Sequence, residues 1–149
     1  MATRRDAREW ALQIVFSLDL NAKAELDFCI ADFFKDNPTK DAKIRAFAEK
    51  LVRGVYDEQP TIDATIAKYA QHWSIARMAA VDRNVLRIAL YELLFCPDVP
   101  PAVVINEAID LAKYFSSTES GRFVNGILDR VRRELAVERK TVADGSICS

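Results

Sequence analysis

The chain has 149 residues, 50% hydrophobic and 29% charged, enough for one folded core or two small lobes that share one. Four glycines and five prolines are too few for a turn-rich β fold or a low-complexity chain. A net charge of −1 excludes nucleic-acid binding through bulk positive charge, so any such contact needs a local patch, specific base contacts or a partner.

Helical periodicity begins at once. Ala7, Trp10 or Ala11, Ile14 and Leu18 recur at three- and four-residue spacing and predict an amphipathic helix over 4–20. Thr3 and Asp6 are spaced to cap its start. This opening segment is charged and amphipathic, unlike an apolar signal core. A second helix over 25–36 carries Leu26, Cys29, Ile30, Phe33 and Phe34, and Asn37-Pro38 stops it. Ile44, Phe47, Leu51 and Val55 predict a third helix over 40–58, which Pro60 breaks. A fourth runs from Thr61 to about His72 with Ile62, Ile66, Tyr69 and Ala70 inward, and Trp73 closes the turn.

The segment from Val81 to Phe95 differs in kind. Val85, Leu86, Ile88, Ala89, Leu90, Leu93, Leu94 and Phe95 leave almost no polar face, which predicts a central helix enclosed by others. Cys96-Pro97 ends it. Pro100-Pro101 sit where proline is tolerated, in the first turn of a helix that runs to about Phe115 and buries Val104, Ile105, Ala108, Leu111 and Ala112. Ser116 and Glu119 have the spacing of a capping box for the last helix, with Phe123, Val124, Ile127, Leu128 and Val131 inward. After Leu135 the periodicity fades.

The expected architecture is all-α, about seven helices in two packed bundles around a central hydrophobic helix. It spans 1–136, with an N-terminal lobe of about 1–73 and a C-terminal lobe of about 74–136, and 137–149 reads as a flexible tail. No apolar run approaches the roughly 18–20 residues needed to cross a bilayer, so the expected location is cytoplasmic, without membrane contact.

Chemistry-bearing residues are sparse. Cys29, Cys96 and Cys148 form no CxxC pair, and with the one histidine, His72, they make no zinc ligand set. Their odd, scattered number fits a reducing compartment. There is no glycine-rich phosphate loop. His72 reads as a surface or cap residue, Asp57 and Asp63 as solvated charge, and Glu107 and Asp110 as helix-face neighbours of Lys113. The expectation is a non-catalytic protein with no catalytic residues, no metal and no cofactor. Asn106, Asn125 and Gly126 lie inside apolar stripes and predict packing roles. Amides can tie helices together, and a glycine lets two helices approach at a cost of about 1 kcal/mol relative to alanine.

The N-terminus is more informative. Arg4, Arg5 and Arg8 lie in the first two turns, with Arg4 and Arg8 on one face. Positive charge there opposes the helix dipole at roughly 0.3–1 kcal/mol per charge, offset in part by Asp6 and Glu9. Such a cluster is either a solvated terminus or a set of arginines that meet phosphates and stack on bases. Further positives stand at Arg77, Arg83, Arg87, Arg122, Arg130, Arg132 and Arg133.

The opening AREWALQIVFSLDL and the long stretch DRNVLRIALYELLFCPDVPPAVVINEAIDLAKYFSSTESGRFVNGILD resemble the NusB family, over roughly residues 4–135. DRNVLRIALYEL, INEAIDLAK and FVNGILD are long, ordered and spaced as in that family, whereas 21–72 match only in helical pattern and length. The resemblance implies two helical bundles packed on a shared helix. It also implies a function. NusB proteins pair with NusE, a small ribosomal subunit protein, and the pair recognises single-stranded boxA RNA and keeps RNA polymerase elongating on ribosomal RNA operons. The implied partners are thus boxA-type RNA, NusE and the transcription elongation complex.

Carried over position by position, Arg4, Arg5 and Arg8 match the family's arginine-rich RNA-contacting segment. Phe115, Glu119, Arg122 and Phe123 match positions near RNA, although Phe123 fits a plain core position equally well. Phe16 and Asp82 match positions near NusE. Asp6 interrupts what is often a denser basic run, and Phe16 stands where tyrosine is common. Fewer positives predict a shallower salt dependence. Two other readings stand beside this one. The first is the regulatory domain of an RNA cytosine methyltransferase, which requires this chain to be a fragment. The second is a helical module that self-associates as a homodimer through exposed apolar surface and binds no RNA.

Overall fold

The computed structural model describes residues 1–70 and 74–143. Helix α1 spans Arg4–Leu20 and opens as its sequence predicts. The Thr3 hydroxyl accepts from the Asp6 amide, and the Asp6 carboxylate accepts from the Thr3 amide at 2.8 Å. Helix α2 covers Leu26–Asp36, and α3 covers Ala42–Tyr69, started by Asp41, whose carboxylate accepts from the Ile44 amide.

The break expected at Pro60 does not occur. Proline lacks an N–H and crowds the carbonyl one turn earlier, which disfavours it by about 3 kcal/mol in a helix interior. Here Leu51, Val52 and Val55 before it and Ile62 and Ile66 after it are all buried along one continuous α3. Each such side chain contributes about 1.5–3 kcal/mol on burial, so keeping both halves of the stripe on the core outweighs the local defect. Pro60 itself lies on the exposed side. His72 and Trp73 lie outside the described residues.

A 3-10 turn over Ile75–Arg77 leads into α4, Ala80–Phe95, followed by α5, Pro101–Phe115, and α6, Thr118–Ala143. The described residues hold these six α-helices, the short turn and no strand. The last helix starts later than the Ser116–Glu119 spacing suggests. Ser117 is the cap, its Oγ accepting from the Ser120 amide at 3.1 Å, while Ser116 Oγ accepts from the Ser120 hydroxyl. Glu119 takes no part in that cap and is exposed. The α6 backbone stays helical through Ala143, beyond the boundary expected at 136.

Helix α4 sits at the centre and packs against α1, α3, α5 and α6. Leu86 and Leu90 are fully buried. With α1, α2 and α3 on one side and α5 and α6 on the other, α4 is the shared element of two bundles, as its nearly all-apolar sequence predicts.

The polar and small residues inside the apolar stripes behave otherwise. Asn106, Asn125 and Gly126 are all exposed, and a Cβ at Gly126 would meet nothing within 4 Å. The close approach belongs to Gly54 instead, where a Cβ would run into the Tyr91 ring of α4.

Candidate functional site

The three N-terminal arginines have three different fates. Arg4 is exposed, its guanidinium lying 4.8 Å from the centre of the Phe47 ring. Arg8, on the same face, lies 5.3 Å from that ring but is buried, and it forms a forked ion pair with Glu92 of α4. It is therefore no free cation for a ligand, contrary to the sequence expectation, and it serves as a clamp between α1 and α4. Burial pushes the Glu92 carboxyl upward, and the Arg8 guanidinium pulls it back only in part. One signal for this pair was visible in the sequence. Glu92 is a carboxylate among Leu90, Leu93 and Leu94 in the apolar second half of α4, and a buried carboxylate needs a cation.

Arg5 points outward and across to α5. Its Nε lies 3.0 Å from Glu107, and its Nη2 lies 2.5 Å from Asp110. The hydrogen bond to Glu107, then its charge and those of Asp110, hold the Arg5 guanidinium above its ordinary value. Glu107 and Asp110 thus serve a long-range contact, where the helix-face spacing suggested Lys113 as partner. A cleft of about 410 Å³ opens here between α1 and α5, lined by Arg5, Glu9, Glu107, Asp110, Lys113 and Tyr114 over Leu111.

From that cleft the surface continues to the α5–α6 junction. Tyr114 meets Phe115 edge-on at 4.9 Å, and the Lys113 side chain lies along Gly121, one residue before the exposed Arg122. Arg5 and Tyr114 therefore line one cleft, which Phe115 adjoins at the α5–α6 junction.

A second cleft, of about 330 Å³, lies where α4 and α6 begin. It is lined by Asp82, Arg77 and Met78 on one side and by Ser117, Glu119 and Phe123 on the other. The structure so brings Asp82 together with Glu119 and Phe123, which the sequence assigned to different partners. Phe123 is half-buried and packs on the core. Asp82 Oδ1 is buried without a hydrogen-bond partner among the described residues. Such an acceptor is uncommon in a folded protein.

Phe16 is half-exposed on α1, one turn before Asp19. The Asp19 carboxylate accepts from Arg83 at 2.6 and 2.9 Å and from Asn84 at 2.9 Å, and it lies 3.1 Å from Arg87. Phe16 and Asp82 thus sit toward the same end of the α1–α4 contact. Arg87 also grips Asp63 of α3 at 2.9 and 3.0 Å, so Asp63 is no solvated charge and Arg83 and Arg87 are structural cations. Sequence reasoning missed this network because its members come from three helices.

Among the described residues, no three His, Cys, Asp or Glu side chains are grouped to hold a metal ion, and no helix is long and apolar enough to cross a membrane.

The sequence profile of the NusB family matches residues 5–133. The chain is 44% identical over 137 residues to the transcription antitermination protein NusB of Desulfosudis oleivorans, an alignment that covers 91% of this chain and 88% of that one. Among solved structures, NusB of T. maritima superposes with a TM-score of 0.81 at 38% identity, over 89% of this chain and 92% of that one. A chain from the crystal structure of the antitermination factors NusB and NusE in complex with dsRNA gives a TM-score of 0.81 at 29% identity, over 88% of this chain and 96% of that one.

Proposed function

The chain belongs to the NusB family, and from that premise we propose that it is a cytoplasmic, non-catalytic antitermination factor that binds single-stranded boxA-type RNA together with NusE during ribosomal RNA operon transcription. Its relatives are named as antitermination proteins rather than as enzymes. A solved neighbour holds NusB, NusE and RNA in one complex.

The observation that carries the reading is a surface with two clefts, one reaching Lys113 and Tyr114 at the end of α5 and the other lined by Asp82, Ser117 and Phe123 where α6 begins. On it, the exposed guanidiniums of Arg4 and Arg122 meet phosphates. Arg5 is already engaged by two carboxylates and orders the ridge more than it neutralises RNA. Phe115 and Phe123 offer ring edges or faces to unstacked bases, and Glu119 accepts from base amino groups. Arg8 contributes by holding α1 on α4. Asp82, half-buried in the lining of its cleft, presents its carboxylate side to NusE, with Phe16 at the margin of that contact. Because Glu119 and Phe123 line the Asp82 cleft, RNA and NusE share a border, and each favours the other.

The test is a titration of labelled single-stranded boxA-like RNA, a scrambled strand and a duplex, with the full chain alone and with NusE. Preference for the boxA-like strand, strengthened by NusE and weakened in Arg4→Ala/Arg122→Ala, is the expected result. A chain indifferent to RNA even with NusE present overturns the reading.

A further inference from the structure

We propose that the cleft between α1 and α5 is a subsite for one unpaired nucleobase, which stacks on Tyr114 and turns its amino edge toward the carboxylates of Glu9 and Asp110. The inference rests on the RNA-binding reading above and adds to it a residue and a recognition chemistry.

Tyr114 is 76% exposed, the most open of the large exposed aromatics among the described residues. The core does not require it there, since its neighbour Phe115 packs inward and Leu111 floors the cleft. Phe115 nonetheless holds it edge-on, with ring planes at 81°, so the tyrosine is a supported platform in water. A fixed aromatic face in water is what an unstacked base binds, whatever its sequence.

The charges around it select a base over a phosphate. Three carboxylates, Glu9, Glu107 and Asp110, line the cleft with two cations, Arg5 and Lys113. Arg5 is already bound to Glu107 and Asp110. A phosphate here would meet excess negative charge. A base carrying an exocyclic amine meets acceptors, because carboxylates take hydrogen bonds from such groups. Exposed cations outside the cleft for the flanking phosphates are Arg4, next to Arg5 on α1, and Arg122, next to Gly121 where the Lys113 side chain lies.

The experiment uses the full chain with NusE and labelled single-stranded boxA-type RNA. Tyr114→Leu, which keeps bulk but removes the π-face, is expected to lose about tenfold in affinity, and Tyr114→Phe to stay within about twofold of the original. Stacking releases no counterions, so Tyr114→Leu keeps the slope of log K against log salt, whereas Arg4→Ala makes it shallower by about 0.7. Circular dichroism of each variant checks that the helices are intact. If Tyr114→Leu binds as tightly as the parent while Arg4→Ala weakens binding, the subsite is wrong and the RNA reading stands. A slope change in Tyr114→Leu like that of Arg4→Ala overturns the stacking role. Absence of RNA binding by the parent chain with NusE overturns both.

Discussion

Arg8 and Glu92, 84 residues apart, meet at the heart of the α1–α4 contact, with Nε 3.0 Å from Oε1 and Nη2 3.1 Å from Oε2. Their side chains are 5% and 1% exposed. Two charges taken out of water together gain little net stability, but removing one strands the other. Arg8→Ala or Glu92→Ala is expected to destabilise the fold by about 3–5 kcal/mol. Arg8→Met with Glu92→Met should cost less than either single change. Urea unfolding in a double-mutant cycle measures this, and a loss below about 1 kcal/mol in both single variants would remove the clamp. Any test of RNA contact at the N-terminus should therefore leave Arg8 in place.

Asp19 makes stability depend on pH. Burial pushes its carboxyl up, but donation from Arg83, Asn84 and Arg87 outweighs burial and holds it below the ordinary value of 3.8. A carboxyl with a lowered folded pKa stabilises the fold above its unfolded pKa and loses that contribution as pH falls through the folded one. Asp19→Asn should therefore be clearly less stable than the parent at pH 7, with the gap narrowing below about pH 4. Urea midpoints across that range provide the check, and a gap independent of pH would mean that the charge on Asp19 contributes nothing.

Two glycines should respond in opposite directions. Gly126 sits inside α6 with open space around its Cβ position, so Gly126→Ala should gain about 0.8–1.0 kcal/mol from helix propensity. Gly54 faces the Tyr91 ring, which is stacked on Phe95 at 5.6 Å. Gly54→Ala should lose about 1–3 kcal/mol by overpacking. Thermal melts that move both variants in the same direction would contradict this.

The place of Asp82 in the lining of the α4–α6 cleft gives a prediction about NusE. Asp82→Asn keeps the shape and removes the charge, and a hydrogen bond to a charged group contributes about 1.5–3 kcal/mol, so pairing should weaken about tenfold or more. Asp82→Lys should weaken it further, and should weaken pairing more than it weakens the fold. Calorimetric titration against NusE tests both, and unchanged pairing in the two variants would take Asp82 out of the interface.

The sequence by itself determined the all-helical architecture, the start of α1 at Thr3 and the central place of α4. These rest on spacing along one helix, a local property that the chain carries in its own period. The family motifs added which ends of which helices matter. The tertiary structure alone decided that Pro60 stays inside α3, that Gly126 faces solvent and that Arg8 is locked away while Arg4 is open. It also joined Asp19, Asp63, Arg83 and Arg87 into one network. Partners separated by 24 to 105 residues meet only when rigid helices fix their rotation against each other, and helical period does not set that rotation. A charge on a helix face reads the same in sequence whether water or a carboxylate lies opposite, and packing chooses between them.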